Sequence, residues 1–549
     1  MKIVGFQSGH DVSYAILENG VPVIHEELER FTREKEPLGD GLEFFFKQNP
    51  NMDDVKHFTF GNPGGRSGKW VDECYSQWSQ DKMEDMVSKN NGKYHMIGHH
   101  QSHAANAFYS SNFEESLIIT IDGGGTEEDG STTSFTVWNG KGNKIEPVKI
   151  IPLRELNIGS PWRKYTGEIF GLSNKHPKGN QAGTVMGMAC VGEPKYTKDF
   201  YDAFTGHLWQ VESGRGNFNP GDLCQAYRPI ADRSEQDKFD IAASLQLATE
   251  KLVRELMTPF VSQSKMKNLC LSGGVALNSV MVGKMYEWFD GIIENIYVDP
   301  IPYDGGLALG SARYVWHHIL DNPRIEWKDN SSSYLGRTYN GGLVKQSLDN
   351  STKILDDLDK HNCKLKYSEA TDDDVIELLS KDDNVISVFG GGSESGRRAL
   401  GNRSILADPR SPKMKDIINE KVKHRQWFRP FAPSIIREEV KNWFKRDIDS
   451  PYMSFVLDWK DDMKDKVPAV VHLDGTARLQ TVTENDNKWY YNFIKKFGEK
   501  TGVPIVLNTS FNDREPIVET PEHAINCFLG TDIDYLYFYD ENILVEKVS

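Results

Sequence analysis

Apolar and polar positions along this chain switch repeatedly between a period of two and a helical period, and the switches predict its elements. The opening KIVGFQSGH is an apolar strand running into a glycine turn. VSYAILENGVPVIHEELER then reads as two strands joined by Asn19-Gly20, a dipeptide suited to the positive φ of a tight hairpin. HHQSHAANAF reads as a helix, and SLIITIDGGGT after it as a strand ending in glycines. TTSFTVWNGKGNKIEPVKII is a second hairpin. A long amphipathic stretch runs from about Asp237 to Phe260, and LCLSGGVALN is a strand, a glycine turn and a helix start. Strands alternating with helices predict an α/β architecture. Around 325–370 the text turns polar, which predicts a boundary near 345 and domains at 1–345 and 346–549. The second domain reads as mixed α+β, ending in VPIVLNTSFN and DYLYFYDENILVEK.

Composition narrows the class. A chain of 549 residues has room for two or more domains at about 150 residues each. Mean hydropathy is −0.55, and no apolar run approaches the roughly 20 residues of a membrane span. MKIVGFQSGHD lacks the apolar core and cleavage site of a signal peptide, and six scattered cysteines form no C-x-x-C pair. Both features predict a cytoplasmic protein with free thiols. A net charge of −16 disfavours broad binding to nucleic acid or anionic membranes, while leaving room for a local basic groove.

His99 and His103 stand four residues apart, so a helix would put both imidazoles on one face. Asp122, ending the apolar strand, and Asp304, in YDGGLALGSA, would add oxygen ligands. Two imidazoles with two carboxylates suit Fe(II), Mn(II) or Zn(II) better than Ca(II) or Mg(II). The plain alternative is a polar helix end. Glycine turns follow apolar strands at 6–11, 122–126 and 272–278, and a further one enters a helix at 304–312. Such turns let backbone N–H groups approach a phosphate, which makes Gly273, Gly274 and Asn278 nucleotide-binding candidates. Glycines that merely end strands are the alternative. Three such turns in this order resemble the actin and sugar-kinase superfamily, in which two related halves clamp a nucleotide.

The second domain carries ESGRRALGNRSILADPR and INEKVKHRQWFRPFAPS, with Arg398, Arg403, Lys421, Lys423, Arg425 and Arg429 among small and apolar residues. Arg478 follows in HLDGTARLQTV, and Asn508, Ser510 and Asn512 in VLNTSFN. Guanidinium groups grip phosphate bidentately, and amides and hydroxyls orient small polar ligands. A solvated basic face is the alternative, and it explains poorly why the arginines sit in text such as WFRPFAPS.

Together SGHDVSYAIL, HHQSHAANAFY, IDGGGT, VMGMA, LSGGVALN, YDGGLALGSA, RALGNRSILADPR, FRPFAPS, HLDGTARLQTV and LNTSFN resemble, over essentially the whole chain, the O-carbamoyltransferases of the NodU, cephamycin and tobramycin type. The resemblance implies an actin/sugar-kinase-like N-terminal domain related to the threonylcarbamoyl-transfer protein of tRNA modification. It implies a C-terminal α+β domain like YrdC. The C-terminal domain would form carbamoyl adenylate and pyrophosphate from carbamoyl phosphate and ATP, with Mg²⁺ accompanying the ATP. The N-terminal domain would pass the carbamoyl group to an acceptor hydroxyl beside an Fe(II)-type ion. Carried over by motif, the metal ligands are His99, His103, Asp122 and Asp304. Arg398, Lys423, Arg429, Arg478, Asn508 and Ser510 surround the nucleotide and carbamoyl phosphate, and His10 and Lys35 are N-terminal catalytic positions. His10 is the candidate base for the acceptor hydroxyl; a turn histidine bonded to its own backbone is the alternative. Where the family often has Gly-Pro-Arg, this chain has Gly396-Arg397-Arg398; a usual arginine is Gly392, and Ala182-Gly183-Thr184 replaces Glu-Gly-Lys.

A kinase of the actin/sugar-kinase superfamily and a tRNA threonylcarbamoyl-type enzyme are the competing readings. The first needs neither HHQSH nor the arginine-rich second domain. The C-terminal text argues against the second. The acceptor is not legible. Arg163, Lys164, Lys175, His176 and Lys178 form a basic stretch in an acidic protein. That stretch suggests a phosphate-bearing acceptor, a hydroxymethyl-pyrimidine nucleotide or nucleic acid, beside the sugars and natural products of the family; a solvated loop is the plainer reading. No membrane partner is expected, and a homodimer is a candidate assembly.

Overall fold

A computed structural model of the chain describes residues 1–62, 76–172, 180–205, 221–325, 333–360, 362–381 and 383–548. It divides into two compact units, 1–327 and 328–549.

The first unit holds two five-stranded sheets. One comprises β1 (Lys2–Gln7), β2 (Ser13–Glu18), β3 (Val21–Glu27), β4 (Val55–Phe60) and β5 (Lys93–Met96), in the order β3-β2-β1-β4-β5. The other comprises β6 (Glu115–Thr126), β7 (Thr132–Lys141), β8 (Lys144–Pro152), β9 (Asn268–Ser272) and β10 (Asn295–Val298), in the order β8-β7-β6-β9-β10. In each, the first three strands form an antiparallel meander and the last two add in parallel to the central strand. The unit is therefore a structural duplication, the arrangement expected of an actin/sugar-kinase-like domain. Both predicted hairpins form. Asn19 (φ 51°) and Gly20 (φ 85°) make the first turn, and β7 and β8 are the arms of the second. The predicted amphipathic stretch is the helix Glu235–Ser264, opened by Ser234, whose side chain accepts from Asp237 N.

The second unit is built on one nine-stranded mixed sheet. Its strands are β11 (Lys364–Glu369), β12 (Val385–Phe389), β13 (Arg403–Ala407), β14 (Ala432–Ile436), β15 (Phe455–Asp458), β16 (Thr476–Val482), β17 (Ile505–Ser510), β18 (Tyr535–Phe538) and β19 (Ile543–Val548). They run in the order β11-β19-β18-β12-β13-β17-β14-β16-β15. The helix Lys488–Thr501 turns Tyr490, Phe493, Ile494 and Phe497 toward one core, where they meet Ile386, Val388, Leu406 and Val506. Each such side chain contributes about 1.5–3 kcal/mol through burial. Asn487 caps that helix by accepting from Tyr490 N, and Thr371 with Asp374 forms a capping box on the helix Asp372–Leu379. The sheet order brings β13, β14, β16 and β17 together, and these strands carry or adjoin the polar motifs of the second half.

Candidate active site

The helix His99–Ser110 is buried along almost its whole length, since alanines and serines let its neighbours approach from several sides. His99 opens it and His103 follows one turn later, with ring centroids 4.8 Å apart. Asp122 arrives from β6, the central strand of the second sheet, and Asp304 from the turn before the helix Leu307–Tyr314. The four predicted ligand residues meet, with one ligand atom from each lying within 4.8 Å of the others. His99 Nε2 is 3.0 Å from Asp122 Oδ2 and 3.7 Å from Asp304 Oδ1, and His103 Nε2 is 3.6 Å from Asp304 Oδ1. All four are buried. His103 Nε2 is a buried nitrogen with no hydrogen-bond partner, pointing where a cation would sit. An orphaned imidazole nitrogen beside two carboxylates fits a divalent transition metal.

Two close approaches hold this geometry. A Cβ on Gly125 would lie 1.9 Å from His99 Cγ, so only glycine lets β6 pass the imidazole. Gly273 has φ 89°, and a Cβ there would lie 2.2 Å from Ile121 O. Its turn puts Gly274 N 2.8 Å from Asp122 Oδ1, where the amide donates to the carboxylate. The predicted loop residues Gly273 and Gly274 thus adjoin the four-residue group. Asn278 caps the helix Ser279–Trp288 through Met281 N and exchanges hydrogen bonds with Gln246.

Charge in this group is strongly coupled. Burial works against a charged His99, but Asp304 and the hydrogen bond to Asp122 prevail and push its pKa up to about 9. Burial would raise Asp122, yet the bonded His99 holds its carboxyl well below the usual range. His10 stands 3.6 Å from Asp304 Oδ2, and its other nitrogen is 3.0 Å from Asp11 Oδ2. The Asp11 bond first, and the Asp304 charge second, push His10 up to about 9. Lys35 lies in the segment that Gly39 ties to the His10 turn, through a reciprocal pair of hydrogen bonds with Gly9 of 2.9 and 3.0 Å. Arg163 lies 3.8 Å from Glu36 of that segment. Lys175, His176 and Lys178 lie outside the described residues.

Sequence reasoning missed the layer behind the ligands. His100 Nδ1 is 2.5 Å from Thr120 Oγ1, and its Nε2 is 3.1 Å from Thr133 O. Asp299, at the end of β10, accepts from Asn106, Ser272 and Ile301 N. Burial pushes its pKa up to about 6. His100 and Asn106 lie inside HHQSHAANAF and Ser272 opens the 272–278 turn, but neither motif singles them out, and no motif covers Asp299. The only sign is an aspartate ending an apolar strand, in NIYVDP.

In the second unit Arg398, Arg425, Arg429 and Arg478 share one neighbourhood. Burial lowers the pKa of Arg478, as do the charges of Arg398 and Arg429; burial lowers that of Arg425, with Arg429 and Arg478 adding to it. Burial pushes Arg429 down to about 10. Among the described residues, no carboxylate lies within ion-pair distance of Arg425, Arg429 or Arg478. The other predicted residues have tasks within the protein. Lys423 donates to Ser510 O, and to Asn512 O and Oδ1 at 2.7 Å each, locking that turn. Ser510 Oγ bonds Asn512 Oδ1 at 2.8 Å. Asn508 Nδ2 bonds Gln480 Oε1 at 2.8 Å and Ala399 O at 3.1 Å, tying β17 to β16 and to the loop before β13. Arg403 is fully buried, stacked 3.7 Å from the Phe389 ring and bonded to Gly390 O at 2.6 Å, so it is a structural cation.

Residues 68–313 match the family described as Carbamoyltransferase N-terminus, and residues 377–547 match Carbamoyltransferase C-terminus. The chain belongs to the carbamoyltransferase family. It is similar to nodulation protein NolO of Bradyrhizobium diazoefficiens, at 34% identity over 80% of this chain and 77% of that protein. Nodulation protein NolNO of Sinorhizobium fredii is 35% identical over 80% of this chain and 62% of that protein. An uncharacterized protein of Synechocystis is 31% identical over 98% of this chain and 95% of that protein. Among solved structures, full-length HypF in its phosphate- and nucleotide-bound form aligns with a TM-score of 0.33 and 16% identity, over 59% of this chain and 56% of that chain. That likeness is too low to carry function across. As a member of this family the chain is a carbamoyltransferase enzyme. Among its described residues, no helix is long and apolar enough to cross a membrane.

Proposed function

We propose that this carbamoyltransferase is an ATP-dependent O-carbamoyltransferase that works through carbamoyl adenylate. Carbamoyl phosphate loses its phosphate to water, giving carbamate and inorganic phosphate. A carbamate oxygen attacks the α-phosphorus of Mg²⁺-bound ATP, the bond to the β-phosphate bridge breaks, and pyrophosphate leaves. The acceptor hydroxyl then attacks the carbamoyl carbon, AMP leaves, and the hydroxyl proton passes to a base. The reading assigns the first half to the second unit, as a YrdC-like domain, and the second half to the first unit.

The observation that carries the reading is the arginine cluster. Among the described residues, Arg425, Arg429 and Arg478 repel one another with no carboxylate at ion-pair distance to compensate them, which is the electrostatics of a site made for a polyanion. In this reading Arg398, Arg429 and Arg478 hold the phosphates, and Arg425, bonded to Asn419 Oδ1 at 2.8 Å and stacked over the Phe431 ring, adds its charge from beside them. Lys423 keeps Ser510 and Asn512 in place, and Asn508 holds the strands beneath them. Gly273, Gly274 and Asn278 form the turn beside Asp122. His99, His103, Asp122 and Asp304 would hold Fe(II), with Mn(II) or Zn(II) as alternatives. Such an ion supplies Lewis-acid polarisation of a bound carbonyl or phosphoryl oxygen. His10 receives the acceptor proton. The Asp11 bond first and the Asp304 charge second raise the His10 pKa, and a cation on Asp304 would remove the second of these while leaving the Asp11 bond. Lys35 borders the same turn.

Family membership and the buried four-residue group support this division. The acceptor is a hydroxyl-bearing sugar, natural product or hydroxymethyl-pyrimidine nucleotide. Incubating the enzyme with carbamoyl phosphate, α-labelled ATP and a panel of hydroxylated sugars, nucleotides and modified DNA tests the reading. AMP, pyrophosphate and carbamoylated product in equal amounts are expected. ADP with a phosphorylated acceptor would mean a kinase instead.

A further inference from the structure

We propose that Asp299, acting through Ser272, is a positioning carboxylate that fixes the tautomer of His103 and presents its Nε2 lone pair to the ligand group. The inference deepens the metal reading above and rests on it. Four links form a relay from the helix Leu307–Tyr314 to the His103 ring. Arg313, fully buried, donates from Nη1 to Asn106 Oδ1 at 2.6 Å. That contact orients the amide so that Nδ2 faces Asp299 Oδ1 at 2.8 Å. Asp299 Oδ1 also accepts from Ile301 N at 2.9 Å. Asp299 Oδ2 accepts from Ser272 Oγ at 3.1 Å, and Ser272 Oγ lies 3.5 Å from His103 Nδ1. Asn106 and His103 are three residues apart on one helix, so both face the ends of β9 and β10.

Counting donors sets the direction of the last link. A serine hydroxyl has one proton. The acceptors around Ser272 Oγ are the Asp299 carboxylate at 3.1 Å, Pro302 O at 3.4 Å and the His103 ring at 3.5 Å. The carboxylate is both nearest and charged, and takes the proton. Ser272 therefore accepts from His103, and Nδ1 carries the ring hydrogen. Nε2 keeps its lone pair, and it is the nitrogen left without a hydrogen-bond partner 3.6 Å from Asp304 Oδ1. Metal-binding imidazoles are commonly oriented in this way by a group on their other nitrogen.

Asp299→Asn inverts the relay without changing its shape. The asparagine carbonyl must still face Asn106 Nδ2 and Ile301 N, so its NH₂ faces Ser272. Ser272 then accepts from the amide, and its own proton is freed for His103 Nδ1 or Pro302 O, which removes the bias toward a protonated Nδ1 and lets the ring proton move to Nε2. An aspartate-to-asparagine change behind an imidazole leaves geometry intact while selecting the wrong tautomer. Ser272→Ala releases the ring without forcing a tautomer.

The test uses the full-length, metal-free chain labelled with ¹⁵N-histidine, with His103→Ala to assign the signals. Wild type is expected to show a protonated Nδ1 and a bare Nε2 on His103, Asp299→Asn a shift toward a protonated Nε2, and Ser272→Ala a mixture. Chelator competition should show weaker Fe(II) and Zn(II) binding for Asp299→Asn, by about 10–100-fold, and a smaller loss for Ser272→Ala. A protonated Nε2 in wild type, or an unchanged His103 tautomer in Asp299→Asn, overturns the proposal. If Asp299→Asn fails to fold, the wild-type tautomer and Ser272→Ala decide. A wild-type chain that binds no metal while showing the expected tautomers would sink the metal reading and leave the relay standing.

Discussion

Replacing Gly125 by alanine adds one methyl group and should empty the candidate metal site. The new Cβ would fall 1.9 Å from His99 Cγ and 2.3 Å from its Cδ2. Carbon atoms in contact rest about 3.5–4.0 Å apart, so the ring must retreat by roughly 1.5 Å or more. It has little room, because the ring is buried. Overpacking of this kind costs about 1–3 kcal/mol of stability, and misplacing a reacting group by about 1 Å costs on the order of 100-fold in rate. Gly183→Ala is the internal control. Nothing lies within 4 Å of a Cβ at Gly183, which sits in the helix Ala182–Ala189, and alanine there gains up to about 1 kcal/mol of helix propensity. Elemental analysis of chains purified under reducing, anaerobic conditions, together with thermal melts, reads the result. Gly125→Ala should carry little metal and transfer carbamoyl groups at least tenfold more slowly, while Gly183→Ala matches wild type. Full metal stoichiometry and near-normal turnover in Gly125→Ala would refute the placement of His99 as a ligand.

Further outcomes follow from the same contacts. Arg398→Ala or Arg478→Ala should abolish pyrophosphate release while metal content stays normal, because both lie in the second unit; normal release by either variant contradicts the assignment. The metal-free His99 pKa of about 9 means that binding must displace a proton. Apparent metal affinity should thus rise about tenfold per pH unit toward neutrality and level off above pH 9, as chelator competition can measure. In the metal-free chain His99 is raised above its unfolded value of about 6.5. Its contribution to stability is therefore complete below pH 6.5 and is lost as pH rises through about 9; denaturation midpoints that stay flat across that range argue against the coupling. If the basic stretch holds a phosphate-bearing acceptor, Lys175→Glu with Lys178→Glu should raise the acceptor KM and reduce its salt dependence without touching pyrophosphate release.

Elements with strong local chemistry were legible in the sequence, and relationships between distant segments were not. Asn19-Gly20 announces its hairpin because few other dipeptides accept positive φ at both positions. HHQSH and DGGGT mark a candidate site because helical spacing sets both imidazoles on one face and the glycines follow an apolar strand, although each alone also fits a polar helix end or a strand end. The duplication of the first unit leaves no trace as a sequence repeat. It resides in strand order, which many side-chain sets satisfy. Lys423 and Arg403 read as ligand cations from their motifs, yet both bond backbone carbonyls; a buried cation that holds a turn looks, in sequence, like one that holds phosphate. Asp299, Ser272 and Arg313 do not read as a unit in the sequence, because they stand at a strand end, at the head of a glycine turn and in a helix, and only folding joins them.

The account stands most directly on exchange of labelled pyrophosphate into ATP. The wild-type enzyme should catalyse exchange only when carbamoyl phosphate is present. His103→Ala should keep that exchange while losing carbamoyl transfer to any acceptor, and Arg478→Ala should lose both. Exchange without carbamoyl phosphate, no exchange in an enzyme that still carbamoylates its acceptor, or full exchange by Arg478→Ala would contradict the adenylate route and its placement in the second unit.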